Sequence, residues 1–111
     1  MVIIGKNGRM AFDVVVVGSA NLDLVARTAR LPKPGETVTG WNYFEACGGK
    51  GVNQAIAAAR TGANTAFVGA LGDDHAGETL RAALDRDRVD TSALRVVSAP
   101  TGRALIGVSD E

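Results

Sequence analysis

The sequence is poor in the residues that build disulfides and metal sites, with one cysteine and one histidine among 111 residues. Cys47 has no partner for an internal disulfide and no nearby cysteine or histidine, so we predict a reducing, cytoplasmic environment and no metal site. Long apolar runs are also lacking. Runs such as Val14 to Val17 are far too short to span a bilayer, and Met1 to Met10 lacks the apolar stretch of a secretory signal. We therefore expect neither membrane association nor export.

An excess of either charge is lacking too, because twelve basic and twelve acidic residues cancel. This balance disfavours a broad basic face, so we expect a small-molecule ligand and no nucleic-acid partner. Aromatic residues make up only 5% of the chain, and we interpret Trp41, Tyr43 and Phe44 as interface packing rather than a base-stacking set. With 46% apolar residues, the chain is long enough for one compact domain over residues 1–111.

The patterned part of the chain begins after the first nine residues. Residues 1–9 are interpreted as an upstream extension, with the natural start at Met10. Val14 to Val17 form a continuous β-branched run closed by Gly18, which is typical of a parallel-sheet strand buried on both faces. Ala66 to Val68, before Gly69, predict a second such strand.

Helical patterns alternate with these strands. Apolar residues at positions 52, 55, 56 and 59 predict a short helix that ends at Gly62. Asp73 and Asp74 supply N-cap chemistry for a second helix, and Leu94 to Val97 predict a third strand. The sequence therefore predicts an α/β fold with a right-handed strand–helix–strand crossover.

Two polar side chains follow the first strand. Asn21 and Asp23 lie at its carboxyl end, where ligands gather in open α/β sheets. Because they are two residues apart, both point to one side of an extended segment, where an amide and a carboxylate can bind adjacent sugar hydroxyls. When these two residues are considered by themselves, the alternative interpretation is a polar turn after a strand, which is the more common arrangement.

A glycine-rich segment opens the first helix. In Cys47-Gly48-Gly49-Lys50-Gly51-Val52-Asn53-Gln54, the glycines let a ligand approach the backbone, and the helix N-terminus offers unpaired N–H groups. A Walker A phosphate loop needs four residues between its glycines and then Gly-Lys-Ser/Thr, so this spacing excludes that assignment. A plain turn that leads into a helix is the alternative at this point.

Four segments together resemble the PfkB family of carbohydrate kinases. They are GSANLD, LPKPGETVTG, GGKGVNQAIAAARTGANTAFVGALGDD and TGRALIGV, in the order and spacing of that family. From Gly48 to Gly72 the chain also resembles the family's first signature, although Val52 stands where alanine is usual. The resemblance runs from about Phe12 to the C-terminus and spans only the N-terminal portion of a family member.

The resemblance implies a fold, a substrate and a set of binding residues. The implied fold is ribokinase-like, a three-layer α/β/α sheet domain with a small β-strand lid. Asn21 and Asp23 would bind sugar hydroxyls, and Gly49, Lys50 and Asn53 would complete the pocket. Lys50 in GGKG is typical of the branch that phosphorylates ribose, more than of the fructose and adenosine branches. The expected cofactors of the full-length enzyme are ATP and Mg²⁺, with a monovalent cation such as K⁺.

The segment from Leu22 to Cys47 interrupts the strand–helix alternation, and its Pro-Gly turn and β-prone residues predict strands outside the main sheet. The resemblance implies that residues of about 22–46 and 101–109 form a lid, with strands from Glu36 to Phe44 and from Thr101 to Val108. Such a lid excludes water from the sugar and would join two subunits into a homodimer. The implied lid residues are Val38, Trp41, Ala104, Ile106 and Val108.

The family's catalytic segment, Asp-Thr-x-Gly-Ala-Gly-Asp, has no counterpart in the sequence. We therefore expect no catalytic residue in this chain, and no phosphoryl transfer by this polypeptide alone. Asp73 and Asp74 are interpreted as a helix cap rather than a metal pair. The alternatives are a non-catalytic module that dimerises through its lid or binds sugar weakly, and part of a kinase for another sugar or nucleoside. A third is an unstable product with an open strand edge.

Overall fold

The structure, a computed structural model, describes residues 1–5 and 11–111 as a mixed α/β fold, which confirms the predicted class. Met10, the predicted start, lies outside the described residues. No helix in the described ranges is long and apolar enough to cross a membrane. The strands are β1 Val2–Ile4, β2 Val14–Val17, β3 Asn21–Thr28, β4 Gly40–Gly48, β5 Thr65–Val68, β6 Ala70–Gly72, β7 Arg95–Val97 and β8 Gly102–Ser109, and the helices are α1 Lys50–Arg60 and α2 His75–Arg86.

The main sheet is built around β2. This strand pairs in parallel with β5 and, on its other edge, in antiparallel orientation with β1, a strand that the sequence pattern does not predict. After Gly69 the chain continues from β5 into β6, which pairs in parallel with β7. Backbone hydrogen bonds from Phe67 to Asp90 and from Asp90 to Thr65 extend the ladder beside β5. The carboxyl ends of β2 and β6 thus lead into the segments that carry the predicted polar residues.

One apolar cluster joins this sheet to both helices. Val16 and Phe67 are partners in register and are fully buried. They pack in one cluster with Val52 and Ala55 of α1 and with Leu80 and Leu84 of α2. Both helices therefore lie on one face of β2, whereas Val15 and Val17 point to the opposite face and are half-buried. The prediction that β2 is buried on both faces is wrong for the described residues, because both helices pack on the same face.

The helix ends follow the predicted local chemistry. α1 ends at Arg60, and Gly62 follows with a φ of 95°, a left-handed conformation that favours glycine. α2 begins after Asp74, whose Oδ1 accepts a hydrogen bond from the backbone N–H of Gly77 at 2.9 Å. The predicted helix stop and N-cap are both confirmed.

The remaining sheet, which we call the lid sheet after its predicted role, has the strand order β4-β3-β8. β3 is antiparallel to β4 and parallel to β8. The molecule measures 56 × 32 × 21 Å and has a radius of gyration of 16.8 Å. A compact domain of this length has a radius of gyration of about 13 Å, so the shape is distinctly elongated.

The predicted lid strand from Glu36 to Phe44 is wrong at its start, because β4 begins at Gly40. Glu36 closes a turn instead. Its backbone N–H donates to Lys33 O at 2.9 Å, and its carboxylate accepts from the N–H of Lys33 and from Arg30. These bonds hold the chain in a turn, so Val38 lies in the loop before β4 rather than on a strand.

The N-cap of α2 is also bonded to the chain that enters β8. The hydroxyl and the backbone N–H of Thr101 donate to the two carboxylate oxygens of Asp74, and the Arg103 guanidinium lies 3.6 Å away. Together with the N–H of Gly77, these donors stabilise the charged carboxylate and lower the pKa of Asp74 from 3.8 to about 2.

We expect acid to destabilise the fold partly through Asp74. Its folded-state pKa lies below the unfolded value, so its stabilisation is present above about pH 4 and is lost as the pH falls towards 2. In Asp74→Asn, the free energy of unfolding should change less steeply with pH across this window, as measured by urea denaturation. Asp73→Asn, which removes the neighbouring charge outside this network, is the control. A wild-type pH dependence in Asp74→Asn would contradict the assignment.

Candidate functional site

Asn21 and Asp23 lie side by side at the start of β3, as their spacing predicts. Nδ2 of Asn21 donates to Oδ1 of Asp23 at 2.7 Å, and both residues are half-buried. The bond holds an amide and a carboxylate next to each other, an arrangement whose remaining acceptors and donors suit neighbouring hydroxyl groups of one small ligand.

Small residues flank this polar pair on both sides. The neighbours in register are Gly48 and Gly102 beside Asn21, and Ala46 and Ala104 beside Asp23. A β-carbon on Gly48 would lie 2.5 Å from Cγ of Asp23, so the carboxylate occupies the space that a side chain would fill. The pair is therefore bordered in strand register only by glycine and alanine, and we call this region, residues 21, 23, 46, 48, 102 and 104, the polar trough.

The glycines that begin α1 are in backbone contact with the segment after β2. Gly49 has a φ of 95°, and a β-carbon there would lie 2.7 Å from the carbonyl oxygen of Ser19. A β-carbon on Gly51 would lie 2.7 Å from the backbone nitrogen of Ser19. The N–H of Val52 donates to Ser19 O at 3.1 Å. Only residues without a side chain allow this approach, which places the first turn of α1 beside the polar trough.

The predicted binding residues fall into two groups in the structure. Asn21, Asp23 and Gly49 come together, since a β-carbon on Gly49 would lie 3.0 Å from Oδ1 of Asn21. Lys50 and Asn53 lie on the adjoining turn of α1, and both are exposed to solvent. They are three residues apart, so they share one side of the helix. Their part in ligand binding stays a prediction.

The predicted lid residues are divided between the strands of the lid sheet and the loop before β4, which holds Val38. Ala104, Ile106 and Val108 alternate along β8, so they face the same side as Asn21 and Asp23. Beyond the polar trough this face becomes apolar, with Val25 opposite Ile106. Trp41 lies at a bulge near the far end, on the predicted lid strand.

Sequence reasoning missed several contributors to this face. The guanidinium of Arg27 lies 4.8 Å from the Trp41 ring centroid, and Trp41 Nε1 donates to Asp110 at 2.8 Å. Arg27 is the cross-strand neighbour of the bulge that holds Trp41, which no local pattern reveals. Ala46 and Gly102 were missed for the same reason, because only the strand register places them beside Asp23 and Asn21.

The opposite face of the lid sheet carries an apolar groove of about 420 Å³. We call it the apolar groove, and its lining includes Leu24, Leu31, Val38, Tyr43 and Leu105. Leu105 is 84% exposed and Tyr43 60%. Adjacent exposed apolar side chains of this size are typical of a surface that packs against another protein.

Within residues 1–5 and 11–111, no group of three or more histidine, cysteine or acidic side chains is arranged to hold a metal ion. Asp74 accepts hydrogen bonds from Gly77 and Thr101, so Asp74 is the helix cap in the structure, and Asp73 lies outside this network. The interpretation as a cap is confirmed for Asp74.

Comparison with known proteins identifies relatives of this fold and sequence. The sequence model of the pfkB family of carbohydrate kinases matches residues 11–111. The ribokinase of Haemophilus influenzae is 46% identical over 101 residues, which is 90% of this chain and 33% of that protein. The chain spans about a third of the length of the curated relatives that it matches.

Solved structures show the same arrangement of elements. The structure of Arabidopsis thaliana ribokinase complexed with ribose and ATP matches with a TM-score of 0.79 and 41% identity, over 87% of this chain and 32% of that one. Ribokinase from Cryptococcus neoformans var. grubii serotype A in complex with ADP matches with a TM-score of 0.77 and 37% identity, over 86% and 30% of the two chains. The predicted ribokinase-like fold is confirmed.

Replacement of Gly51 by alanine is expected to destabilise the protein, although alanine is the better helix former. Its β-carbon would meet the backbone of Gly18 and Ser19, which cannot move aside as a flexible side chain can. We expect the free energy of unfolding to fall by about 1–3 kcal/mol in urea denaturation. Gln54→Ala, at an exposed position in the same helix, is the matched control and should change stability by less than about 0.5 kcal/mol. A stabilised Gly51→Ala would contradict the contact.

Proposed function

Because the chain belongs to the pfkB family of carbohydrate kinases, we propose that it supplies the acceptor-sugar site of an ATP-dependent ribose kinase. The proposed reaction transfers the γ-phosphoryl group of ATP to the 5-hydroxyl of ribose. The observation that carries the proposal is the hydrogen-bonded pair of Asn21 and Asp23 in a trough bordered by glycine and alanine. Relatives named ribokinase, at 46% and 44% identity, support ribose as the sugar.

In this proposal the described residues bind and orient the sugar. Asp23 accepts hydrogen bonds from two hydroxyls and Asn21 binds a third, while the small flanking residues leave room for the ring. Lys50 and Asn53 approach the sugar from the first turn of α1. Phosphoryl transfer depends largely on such positioning of the acceptor, because the protein does little covalent chemistry.

The apolar part of the same face excludes water. Val25 is 7% exposed, and Phe44 and Ile106 flank it in register. In our proposal these side chains cover the bound sugar, because water at the site would compete with the 5-hydroxyl as phosphoryl acceptor. The lid sheet thus has two zones, a polar one that binds and an apolar one that shields.

ATP, Mg²⁺ and a monovalent cation belong to the proposed activity of the whole protein. ATP supplies the phosphoryl group, and Mg²⁺ neutralises charge that develops during its transfer. The proposal assigns this chain the acceptor side of the reaction, because Asn21 and Asp23 are a hydrogen-bonded pair suited to hydroxyl groups. A cytoplasmic location is part of the same proposal and agrees with the lone thiol of Cys47.

Ribose binding to the 111-residue chain, measured by isothermal titration calorimetry, tests the site. In Gly48→Ala the new β-carbon displaces the Asp23 carboxylate, so we expect about tenfold weaker binding or more. The matched control is Gly107→Ala, whose β-carbon would meet only the end of the Leu31 side chain. It should bind ribose as the wild type does.

Three outcomes of this titration contradict the proposal. A wild-type chain without saturable ribose binding excludes the sugar site. Equal losses in Gly48→Ala and Gly107→Ala point to a distorted sheet rather than a displaced carboxylate. Tighter binding of fructose or adenosine than of ribose favours the alternative that the chain serves another sugar or a nucleoside.

We further propose that two copies of the chain associate through their lid sheets. The apolar groove supports this, since its rim residue Leu105 is 84% exposed. The same surface favours the second candidate function, a module that dimerises through the lid sheet. Such a module would associate without binding ribose, so the two measurements together separate the candidates.

Leu105→Glu is expected to shift the chain from dimer to monomer, because it places a charge in the groove that the partner would cover. Sedimentation equilibrium at several concentrations measures the shift, and we expect the dimer dissociation constant to rise about tenfold or more. The control is Ile4→Glu, at another exposed apolar position that is 71% exposed and lies on β1. A monomeric wild type, or equal effects of both substitutions, would contradict association through the groove.

A further inference from the structure

A hydrogen-bond network centred on Asp74 joins three separate parts of the chain. The carboxylate accepts from Gly77 N at 2.9 Å in the first turn of α2, and from both the N–H (2.9 Å) and the hydroxyl of Thr101 before β8. The hydroxyl oxygen of Thr101 in turn accepts from the N–H of Gly72 at the end of β6, at 2.9 Å. Thr101 is only 4% exposed, so water competes little for these bonds.

Close packing reinforces the network. A β-carbon on Gly72 would lie 2.6 Å from the nitrogen of Thr101 and 3.0 Å from the carbonyl carbon of Pro100. A β-carbon on Gly77 would lie 3.1 Å from the Thr101 hydroxyl oxygen. The chain that enters β8 therefore passes in backbone contact over the end of β6, and the Thr101 side chain lies against the start of α2. Its position relative to the core is set by both packing and hydrogen bonds.

This anchored point adjoins the polar trough directly. Gly102 follows Thr101 in the chain and is the partner in register of Asn21, and Ala104 is the partner of Asp23. β8 is the edge strand of the lid sheet, bonded to β3 alone among the described strands. A displacement of Thr101 is therefore passed to the two small residues that form one wall of the trough.

We propose that Asp74 is a positioning residue for the sugar site. It holds the entry of β8 against α2 so that Gly102 and Ala104 border Asn21 and Asp23, and it acts through Thr101 without touching the sugar. This role rests on the proposed function for the identity of the ligand. It is distinct from helix capping, because capping requires only the bond from Gly77.

Asp74→Asn separates the two roles. Asparagine is as good an N-cap as aspartate, so its Oδ1 keeps the bond from Gly77 and α2 still begins at the same place. The other carboxylate oxygen becomes an NH₂ group, which faces the N–H of Thr101 and the Arg103 guanidinium and can accept from neither. The substitution therefore loosens β8 while the helix stays capped.

The experiment measures ribose affinity and amide hydrogen exchange in the full chain, at a temperature where circular dichroism shows every variant folded. In Asp74→Asn we expect about tenfold weaker ribose binding, and exchange at residues 102–105 about tenfold faster while residues 50–60 of α1 are unchanged. Thr101→Val should show the same two changes as Asp74→Asn, because it removes the hydroxyl. Thr101→Ser, which keeps a hydroxyl, should have the ribose affinity and the exchange rates of the wild type. Asp73→Asn is the matched control and should match the wild type.

The outcomes separate this proposal from the proposed function. Faster exchange confined to β8 together with weaker ribose binding supports the positioning role. If Asp74→Asn does not fold, the same comparison between Thr101→Val and Thr101→Ser tests that role. Wild-type ribose affinity in a folded, less stable Asp74→Asn would overturn it and leave Asp74 as a cap only. Exchange that rises evenly along the chain would overturn it as well. If the wild type binds no ribose, the sugar function fails, and exchange at 102–105 alone still shows whether Asp74 fixes β8.

Discussion

The backbone contact between the segment after β2 and the start of α1 is the constraint on which the site depends. Ser19 lies against Gly49 and Gly51 and accepts a hydrogen bond from Val52. Through this contact, the carboxyl end of a parallel strand meets the N-terminus of a helix, the combination that forms ligand sites in α/β sheets. Because Val52 is also a fully buried member of the core, the same turn of helix fixes the site to the apolar cluster.

Small residues serve two different physical purposes around this contact. Gly49 and Gly51 are small because another backbone occupies the place of their side chains. The neighbours of the polar pair in strand register are also small, namely Ala46, Gly102 and Ala104. No backbone contact of this kind explains their size. A β-carbon on Gly102 would come no closer than 3.4 Å to its neighbours, which is ordinary contact. Small side chains there leave room beside two hydrogen-bonding groups, which is what a small polar ligand requires.

Local chemistry explains what the sequence could predict, and long-range register explains what it could not. The stop at Gly62, the cap at Asp74 and the shared face of Asn21 and Asp23 follow from neighbouring residues, whose preferences act over one turn or two strand positions. The pairing of β1, the one-sided burial of β2 and the parallel course of β8 depend on partners far along the chain. The link from Asp74 to Thr101 spans 27 positions, so a capping signal alone hides it.

Distance from its base determines how firmly each part of the lid sheet is held. Its base is fixed twice, by the turn from β4 into α1 and by the bonds of Thr101 to Asp74. β3 rises about 3.3 Å per residue, so Thr28 lies about 23 Å from Asn21 along the strand. Any rotation about the base moves the far end most and the polar pair least. In the proposed function, the groups that need fixed geometry, Asn21 and Asp23, therefore stand at the base. The apolar groups proposed to shield or pack, Trp41 and Leu105, tolerate a place farther out.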